Sequence, residues 1–325
     1  MKKTTKRRIR IVITVFILVL AAGLIFGANY LTNFAIARKT GGGKSVAPAS
    51  SVTADDSSII SANREKFKQQ VESWQKENPS TLVSIESDDG LKLSSEIFTN
   101  ANSNNWVIAI HGYNGGRHYM NNVAYQYYQH GYNILLPDLR ANGDSEGKWI
   151  GMGYLDKNDI VNWIEYLIER YGDINIVLHG ISMGGATVMM TSAEDLPANV
   201  KGLVEDCGYT SVWDIFEDEL SYLYHLPAFP LLNLASGISK IKAGYSFKEA
   251  SSLKAISKAK LPVLFIHGSE DTFVHTEMVH KVYDACNSTK EKLIVQGAGH
   301  GESYLRDPDL YFETTFNFLK KNCGM

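Results

Sequence analysis

Three residues that lie far apart in this 325-residue chain have the side chains of a nucleophilic catalytic triad. Ser182 is the central residue of Gly-Ile-Ser-Met-Gly at 180–184, a G-x-S-x-G pattern, and Asp271 and His300 follow it along the chain. A serine hydroxyl alone is a weak nucleophile, so it needs a histidine to take its proton and an acid to orient that histidine. We therefore predict that Ser182, His300 and Asp271 act as nucleophile, general base and orienting acid.

This chemistry also needs backbone donors for the negatively charged oxygen of its tetrahedral intermediate. Met183 follows the serine at the expected start of a helix, where a backbone N–H has no partner within the helix. Tyr113 comes after His111 and Gly112, just beyond an apolar run that ends at Ile110. The backbone N–H groups of Tyr113 and Met183 are therefore the predicted oxyanion hole, and the Tyr113 hydroxyl is an alternative substrate contact.

Apolar runs typical of buried strands precede these residues, and helical patterns separate the runs. A hairpin is predicted at 82–86 and 91–98, and further strands at 106–110, 133–137, 174–179, 200–205, 262–267 and 292–295. Helices are predicted at 120–130, 156–170, 184–194, 276–285 and 309–321. This alternation predicts an α/β fold with a mostly parallel, doubly wound sheet, whose functional groups lie at the carboxyl ends of strands.

Other side chains compete for these roles. Glu270 is adjacent to Asp271, and Asp206 ends a strand at an acid position that some lipases use. A loop-closing hydrogen bond is the more ordinary role for Asp206. Three histidines that end strands beside a glycine are predicted to be packed and hydrogen-bonded instead of catalytic: His111, His179 and His267.

Several motifs together resemble the α/β-hydrolase family. They are His-Gly-Tyr at 111–113, Pro-Asp-Leu-Arg-Ala-Asn-Gly-Asp-Ser at 137–145, the G-x-S-x-G pattern, the Asp271 loop and Gly-His-Gly at 299–301. The similarity spans 81–325, and the segment 202–213 is similar to exported or membrane-anchored bacterial hydrolases of the serine-peptidase-like or dienelactone-hydrolase-like branch. Asn142 stands where the family's loop usually has His, in a loop expected to be structural. The resemblance implies the α/β-hydrolase fold and triad more firmly than any substrate.

The first forty residues predict a membrane anchor. Six cations within 1–10 precede an uncharged stretch at 11–37, whose apolar part is long enough for the ~20 residues that cross a bilayer. The excess of cations predicts a cytoplasmic N-terminus and an extracytoplasmic catalytic domain. A cleaved signal peptide and a secreted domain are the alternative, because Ala-Ile-Ala at 35–37 resembles a cleavage site.

The predicted organisation has four parts. A basic tip at 1–10 precedes a transmembrane helix at 11–31, a flexible linker at 32–63 and a hydrolase domain at 64–325, whose first helix is predicted at 64–77. Within that domain, the segment 208–250 is rich in large apolar residues. It is predicted to be a helical lid lining an apolar acyl pocket, and an ordinary core layer is the simpler alternative.

These features predict an extracytoplasmic serine hydrolase that cleaves carboxylic esters of small or medium acyl groups through an acyl-enzyme. A peptidase or amidase with the same triad is an alternative, and a catalytically inactive surface binding module is another. The three cysteines show no metal-ligand spacing, so neither a metal nor an organic cofactor is expected. The formal net charge of −3 argues against a nucleic-acid partner.

Overall fold

A computed structural model describes residues 3–39, 53–101 and 103–325 of the chain. Its centre is an eight-stranded sheet with the order β1-β2-β4-β3-β5-β6-β7-β8. The strands are β1 Thr81–Glu86, β2 Lys92–Phe98, β3 Asn105–Ile110, β4 Asn133–Pro137, β5 Asn175–Ile181, β6 Val200–Asp206, β7 Val263–Gly268 and β8 Lys290–Val295. Strand β2 pairs antiparallel with both of its neighbours, and every other pairing is parallel.

The strands form where the apolar runs predicted them, because both faces of the sheet are covered. Alternate residues of β3 enter two different cores: Trp106 and Ile108 pack on one side of the sheet, and Val107 and Ala109 on the other. A strand that is buried on both faces reads as a continuous apolar run. The predicted fold class, a mostly parallel α/β sheet of the α/β-hydrolase type, is therefore confirmed.

Helices cover both faces of the sheet. They are α1 Lys3–Ile36, α2 Ala54–Glu77, α3 Asn121–Gln129, α4 Asp156–Tyr171, α5 Met183–Thr191, α6 Val212–Tyr224, α7 Leu231–Ala243, α8 Ser252–Ile256, α9 Glu277–Ala285, α10 Ser303–Arg306 and α11 Pro308–Phe318. Buried residues of α4, α5, α6, α7 and α9 belong to one core, and those of α2, α3 and α11 belong to the other. Helices α6 and α7 occupy the segment that the sequence predicted as a lid.

Helix α2 begins ten residues before the predicted start at 64, inside the segment assigned to the linker. Thr53 caps it by accepting a hydrogen bond from the Asp56 N–H, and Asp56 also forms an ion pair with Arg306. Ile60, in its second turn, is 2% exposed. The composition of 54–63 suggested a flexible tether, but tertiary contacts of this kind stabilise helices whose own propensity is modest.

Helix α1 differs from the predicted organisation at its end. It continues to Ile36, and Ala37 then forms an antiparallel bridge with Trp149, so residues 32–39 are ordered and not linker. The helix is long and apolar enough to cross a membrane, and most of it is exposed. Residues 1 and 2 of the basic tip and residues 40–52 of the predicted linker lie outside the described residues.

Candidate active site

Ser182 lies at a sharp turn between β5 and α5. Its φ of +60° is in the left-handed region, which is uncommon for a residue with a side chain. The glycines on either side make this turn possible: a Cβ on Gly180 would stand 2.1 Å from the Gly184 carbonyl oxygen, and a Cβ on Gly184 would stand 2.0 Å from that of Ile110. The G-x-S-x-G pattern thus has a steric cause, and it places Ser182 at the end of the strand, beside the cavity described below.

The three predicted triad residues meet at this edge of the sheet. The Ser182 Oγ lies 2.8 Å from the His300 Nε2, and the His300 Nδ1 lies 2.8 Å from the Asp271 Oδ2. With its hydrogen on Nδ1, the imidazole donates to the carboxylate and accepts from the hydroxyl. Ser182 follows β5, Asp271 follows β7 and His300 follows β8, so three strand ends bring together residues 118 and 29 positions apart.

The Asp271 carboxylate is only 4% exposed and fully surrounded by donors. Its Oδ1 accepts hydrogen bonds from the backbone N–H groups of Phe273 (3.0 Å) and Val274 (2.9 Å), and its Oδ2 lies 3.2 Å from the His267 Nε2. Burial alone would raise the pKa of Asp271, but the charge of His300 and the hydrogen bonds from both histidines lower that pKa below its usual range. The carboxylate therefore stays ionised.

The two residues predicted to supply the oxyanion donors belong to segments next to the serine. Met183 is the first residue of α5, where an N–H lacks an intrahelical acceptor. Tyr113 follows Gly112, on which a Cβ would stand 3.3 Å from the Ser182 Cβ. The Tyr113 hydroxyl donates to the Ala35 carbonyl oxygen at 2.5 Å, and burial raises the pKa of that hydroxyl to about 12. Its proton is engaged by the end of α1, so the alternative of its donating to substrate does not fit.

The competing side chains have other partners. The Asp206 Oδ2 accepts a hydrogen bond from the Tyr311 hydroxyl at 3.0 Å, and burial raises the pKa of Asp206 to about 6. His179 lies between two tyrosine hydroxyls, at 3.1 and 2.9 Å, and burial lowers its pKa to about 3. The His111 Nε2 accepts from the Leu139 N–H at 3.0 Å. Of the competing histidines, His267 alone touches the triad, through Asp271.

One group of side chains among the described residues has the proximity of a metal site. The ligand atoms of Cys207, Asp271 and His300 lie within 4.8 Å of one another. Burial, followed by the nearby carboxylates, raises the pKa of the Cys207 thiol well above its usual value, so the thiolate that a metal would need is disfavoured. Asp271 and His300 also hydrogen-bond each other, and the group therefore fits proton transfer better than metal binding.

The loop that departs from the family pattern is structural. The Asn142 side chain donates to the Arg140 carbonyl oxygen at 2.9 Å, within its own turn. Next to it, the Asp138 carboxylate accepts from the backbone N–H of Arg117 at 2.7 Å and from that of Asp144 at 2.8 Å. Asn142 does not line the cavity beside Ser182.

Ser182 opens into a cavity of about 370 Å³, a size typical of small-molecule sites. About half of its lining residues are apolar or aromatic side chains of the predicted lid, including Ile215, Phe216, Leu220, Leu223, Leu232 and Ala235. Glu219 is the acidic side chain in the wall. Burial and the nearby Asp218 carboxylate raise the pKa of Glu219 to about 7, and His300 opposes that rise.

Another part of the wall comes from residues of the N-terminal segment that were not predicted from the sequence to line a cavity. Leu31, Phe34 and Ala35 of α1 and the following Lys39 line the cavity. The visible signal was the change in α1 after Phe26, where polar and small residues interrupt the apolar run. That change alone does not reveal which surface the helix would contact.

Comparison with known proteins agrees with this architecture. The family described as alpha/beta hydrolase fold matches residues 105–226. An uncharacterized Bacillus subtilis protein, YqkD, is 28% identical over 222 residues, covering 66% of this chain and 71% of that protein. A thermostable monoacylglycerol lipase from a Bacillus species is 22% identical over 246 residues, covering 67% of this chain and 91% of the lipase.

A solved structure extends the similarity to three dimensions. The Pyrococcus furiosus esterase Pf2001 superposes with a TM-score of 0.63 and 26% sequence identity, over 76% of this chain and 93% of the esterase. With the sheet and the strand–Ser182–helix turn, these matches define the class of protein. The matches support an α/β-hydrolase superfamily member, and the esterase and lipase among the similar proteins support a hydrolase activity.

Proposed function

We propose that this protein is a membrane-anchored serine hydrolase that cleaves carboxylic esters outside the cytoplasm. The observation that carries the proposal is the pair of 2.8 Å contacts that link Ser182 to His300 and His300 to Asp271. An aligned serine, imidazole and buried carboxylate can perform acyl transfer when backbone donors stabilise the oxyanion. The esterase and monoacylglycerol lipase among the similar proteins favour an ester as the substrate.

The reaction begins when the Ser182 Oγ forms a bond to the carbonyl carbon of the ester. The hydroxyl proton passes to the His300 Nε2, and Asp271 stabilises the imidazolium through Nδ1. Collapse of the tetrahedral intermediate breaks the carbon–oxygen bond to the alcohol, which leaves with the proton from Nε2. A water molecule then attacks the acyl-serine by the same route, releases the carboxylic acid and restores the hydroxyl.

Two backbone groups are proposed to stabilise the negative oxygen of both tetrahedral intermediates. They are the N–H groups of Met183, the first residue of α5 after Ser182, and of Tyr113, which follows Gly112 beside the serine in the turn after β3. Donors held in place before the reaction cost no reorganisation when the charge develops, and losing one typically costs about 3 kcal/mol of transition-state stabilisation.

The anchor is proposed to remain attached to the mature protein. The Ala-Ile-Ala sequence that resembles a signal-peptidase site is part of the folded unit: Ile36 is fully buried, its carbonyl accepts from the Ile150 N–H at 2.7 Å, and the Ala35 carbonyl accepts from Tyr113. Cleavage there would remove these contacts. The cations that precede the apolar run favour an orientation with the catalytic domain outside the cytoplasm.

The experiment that tests the proposed activity compares ester and amide hydrolysis by the full-length protein. We expect turnover of p-nitrophenyl esters, with much slower turnover of aminoacyl p-nitroanilides. We also expect Ser182→Ala to lower ester turnover by at least about 10³-fold without unfolding the protein, because the residual catalysis of such sites is small. Retained activity in a folded Ser182→Ala protein would exclude the proposed nucleophile, and preferential anilide cleavage would indicate a peptidase.

A further inference from the structure

The last turns of α1 are packed against the catalytic domain. Ala28, Thr32 and Ile36, spaced four residues apart on one face of the helix, are fully buried. The Thr32 hydroxyl lies 3.2 Å from the Ala235 carbonyl oxygen of α7, and the Lys242 ammonium of the same helix donates to the side chains of Asn29 and Asn33. The anchor is therefore continuous with the catalytic domain along this face.

These turns form part of the substrate cavity itself. Leu31 and Ala35 line the same cavity as Ser182, together with Leu220 of α6 and Leu232 of α7. The Ala35 carbonyl also holds Tyr113, whose backbone N–H is a proposed oxyanion donor. A helix that both crosses the membrane and lines the cavity would bring the cavity to the surface of the bilayer.

The length of α1 indicates where the cavity lies relative to the bilayer core. A bilayer core needs about 20 helical residues, and counted from Ile11, just after the last cation, such a stretch ends near Tyr30. The cavity wall begins at Leu31, one residue later. Gly27 lies beside Leu231 at the start of α7, with a Cβ position 3.6 Å from its Cδ1. The start of α7 therefore lies level with the last apolar turn of the anchor.

The loop that precedes α7 has the surface expected of a segment in contact with lipid. Leu226 and Phe229 lie in it, Phe229 is 76% exposed, and Tyr222 and Tyr224 at the end of α6 are also exposed. No acidic residue occurs between Glu219 and Glu249 in the sequence. Exposed aromatic residues without nearby acids are typical of the membrane interface. Because α1 fixes this loop at the membrane surface, the bilayer is the partner that covers it.

We propose that the active site is fed from the membrane, and that its substrate is an ester whose long acyl chain lies in the leaflet beside the catalytic domain. The chain would pass between the end of α1 and the α6–α7 loop, with its carbonyl at Ser182. This inference rests on the proposed esterase activity and on α1 as a membrane anchor, and it defines the substrate class and its route of entry.

The test uses the full-length protein in phosphatidylcholine vesicles, with 4-methylumbelliferyl palmitate in the bilayer and 4-methylumbelliferyl butyrate in solution. Ala35→Trp fills the wall that α1 contributes. Ala22→Trp is the matched control, because Ala22 is an exposed residue of the apolar part of the same helix. We expect Ala35→Trp to lower the palmitate-to-butyrate ratio of kcat/KM by at least about tenfold, since pocket shape discriminates chain length. The control ratio stays at the wild-type value.

A second pair of variants tests the membrane contact independently of the wall. Phe229→Asp places a charge in the α6–α7 loop, and Leu310→Asp places one at an exposed leucine in the first turn of α11, on the other face of the sheet. We expect Phe229→Asp to lower the same ratio by about fivefold or more, because a charge at the interface disfavours insertion of the loop. Leu310→Asp leaves the ratio unchanged.

Labelling by a fluorophosphonate probe separates the possible outcomes. In one outcome, Ser182 is labelled and butyrate is cleaved, but the palmitate-to-butyrate ratios of Ala35→Trp and Phe229→Asp stay at the wild-type value. That outcome excludes entry of substrate from the membrane and leaves the proposed esterase activity intact. If neither ester is cleaved by a folded wild-type protein, the proposed function itself fails. Should Ala35→Trp not be labelled, Ala35→Leu gives the same comparison with a smaller side chain, and an unchanged ratio there also excludes the proposal.

Discussion

At the scale of single residues, the site depends on a carboxylate that cannot easily be protonated. Asp271 has a donor at each oxygen, whereas Asp206 at the end of the neighbouring strand has an unpartnered Oδ1 among the described residues and a pKa raised to about 6. Chain order predicted Asp271 as the triad acid, with Asp206 as its rival, and Asp271 is the carboxylate that contacts His300. The contact between Asp271 and His267 was not predicted, because local sequence does not determine the geometry of the loop that leads from His267, in β7, to Asp271.

The two acids give a direct comparison. We expect Asp271→Asn to lower kcat by about 10³- to 10⁴-fold, because an amide favours the wrong imidazole tautomer and cannot stabilise the imidazolium. Asp206→Asn keeps the hydrogen bond from Tyr311 and should lower kcat less than about tenfold. Steady-state ester hydrolysis measures both variants, and a larger loss in the Asp206 variant would reassign the acid.

Glu219 predicts a pH dependence of substrate binding. With its pKa raised to about 7, Glu219 is neutral below that pH and charged above it, in a cavity with mostly apolar walls. Covering a carboxylate with an acyl chain costs desolvation, so we expect KM for a medium-chain ester to rise between pH 6 and pH 8.5. Glu219→Gln has no such titration, and its KM should stay constant over this range. An equal rise in both proteins would assign the effect to another group.

At the scale of elements, strand ends and tight turns position the residues of the candidate site. The strands could largely be predicted from the sequence. Apolar runs predicted all eight strands, with ends that differ from the structure by only a few residues. Helix starts were less reliable, as α2 shows: its first three turns depend on contacts with Arg306 and Leu305, which lie about 250 positions away. Local patterns do not contain such partners.

The turn at Ser182 predicts that its glycines are not exchangeable. A Cβ on Gly184 would meet the Ile110 carbonyl oxygen at 2.0 Å, so we expect Gly184→Ala to lower the free energy of unfolding by about 3 kcal/mol and to abolish probe labelling. Gly237, inside α7, has no described atom within 4 Å of its Cβ position. Gly237→Ala should raise the free energy of unfolding by about 0.5–1 kcal/mol, because alanine favours a helix. Thermal or urea unfolding measures both, and equal effects would contradict the steric account.

At the scale of the whole molecule, helix α1 and the rest of the α/β-hydrolase fold form one packed unit. The sequence predicted α1 as a membrane helix followed by a flexible linker, and the first cavity residues of α1 fell at this assumed boundary. Their role could not be predicted from the sequence. Small and polar residues such as Ala28 and Thr32 do not indicate which surface a helix contacts, and their packing against α7 is visible only in the structure. Tertiary packing therefore determines whether the end of such a helix is a flexible linker or part of the cavity wall.

An uncleaved anchor has a measurable consequence. We expect the protein purified from membranes to have the mass of the full chain, 36.1 kDa, and we expect protease added outside intact cells to remove the catalytic domain. We expect no cleavage because Ile36 is buried and its carbonyl oxygen accepts a hydrogen bond from the Ile150 N–H, so cleavage after Ala37 would detach a packed segment. A smaller protein released into the medium would instead indicate a signal peptide.

We propose that His300 and Asp271 make the Ser182 hydroxyl reactive. Mass spectrometry of the full-length protein after reaction with a fluorophosphonate tests this proposal, because it locates the modified residue. We expect a single adduct on Ser182, formed far more slowly in His300→Ala. An adduct on another residue, or equally rapid modification of Ser182 without the imidazole, would contradict it.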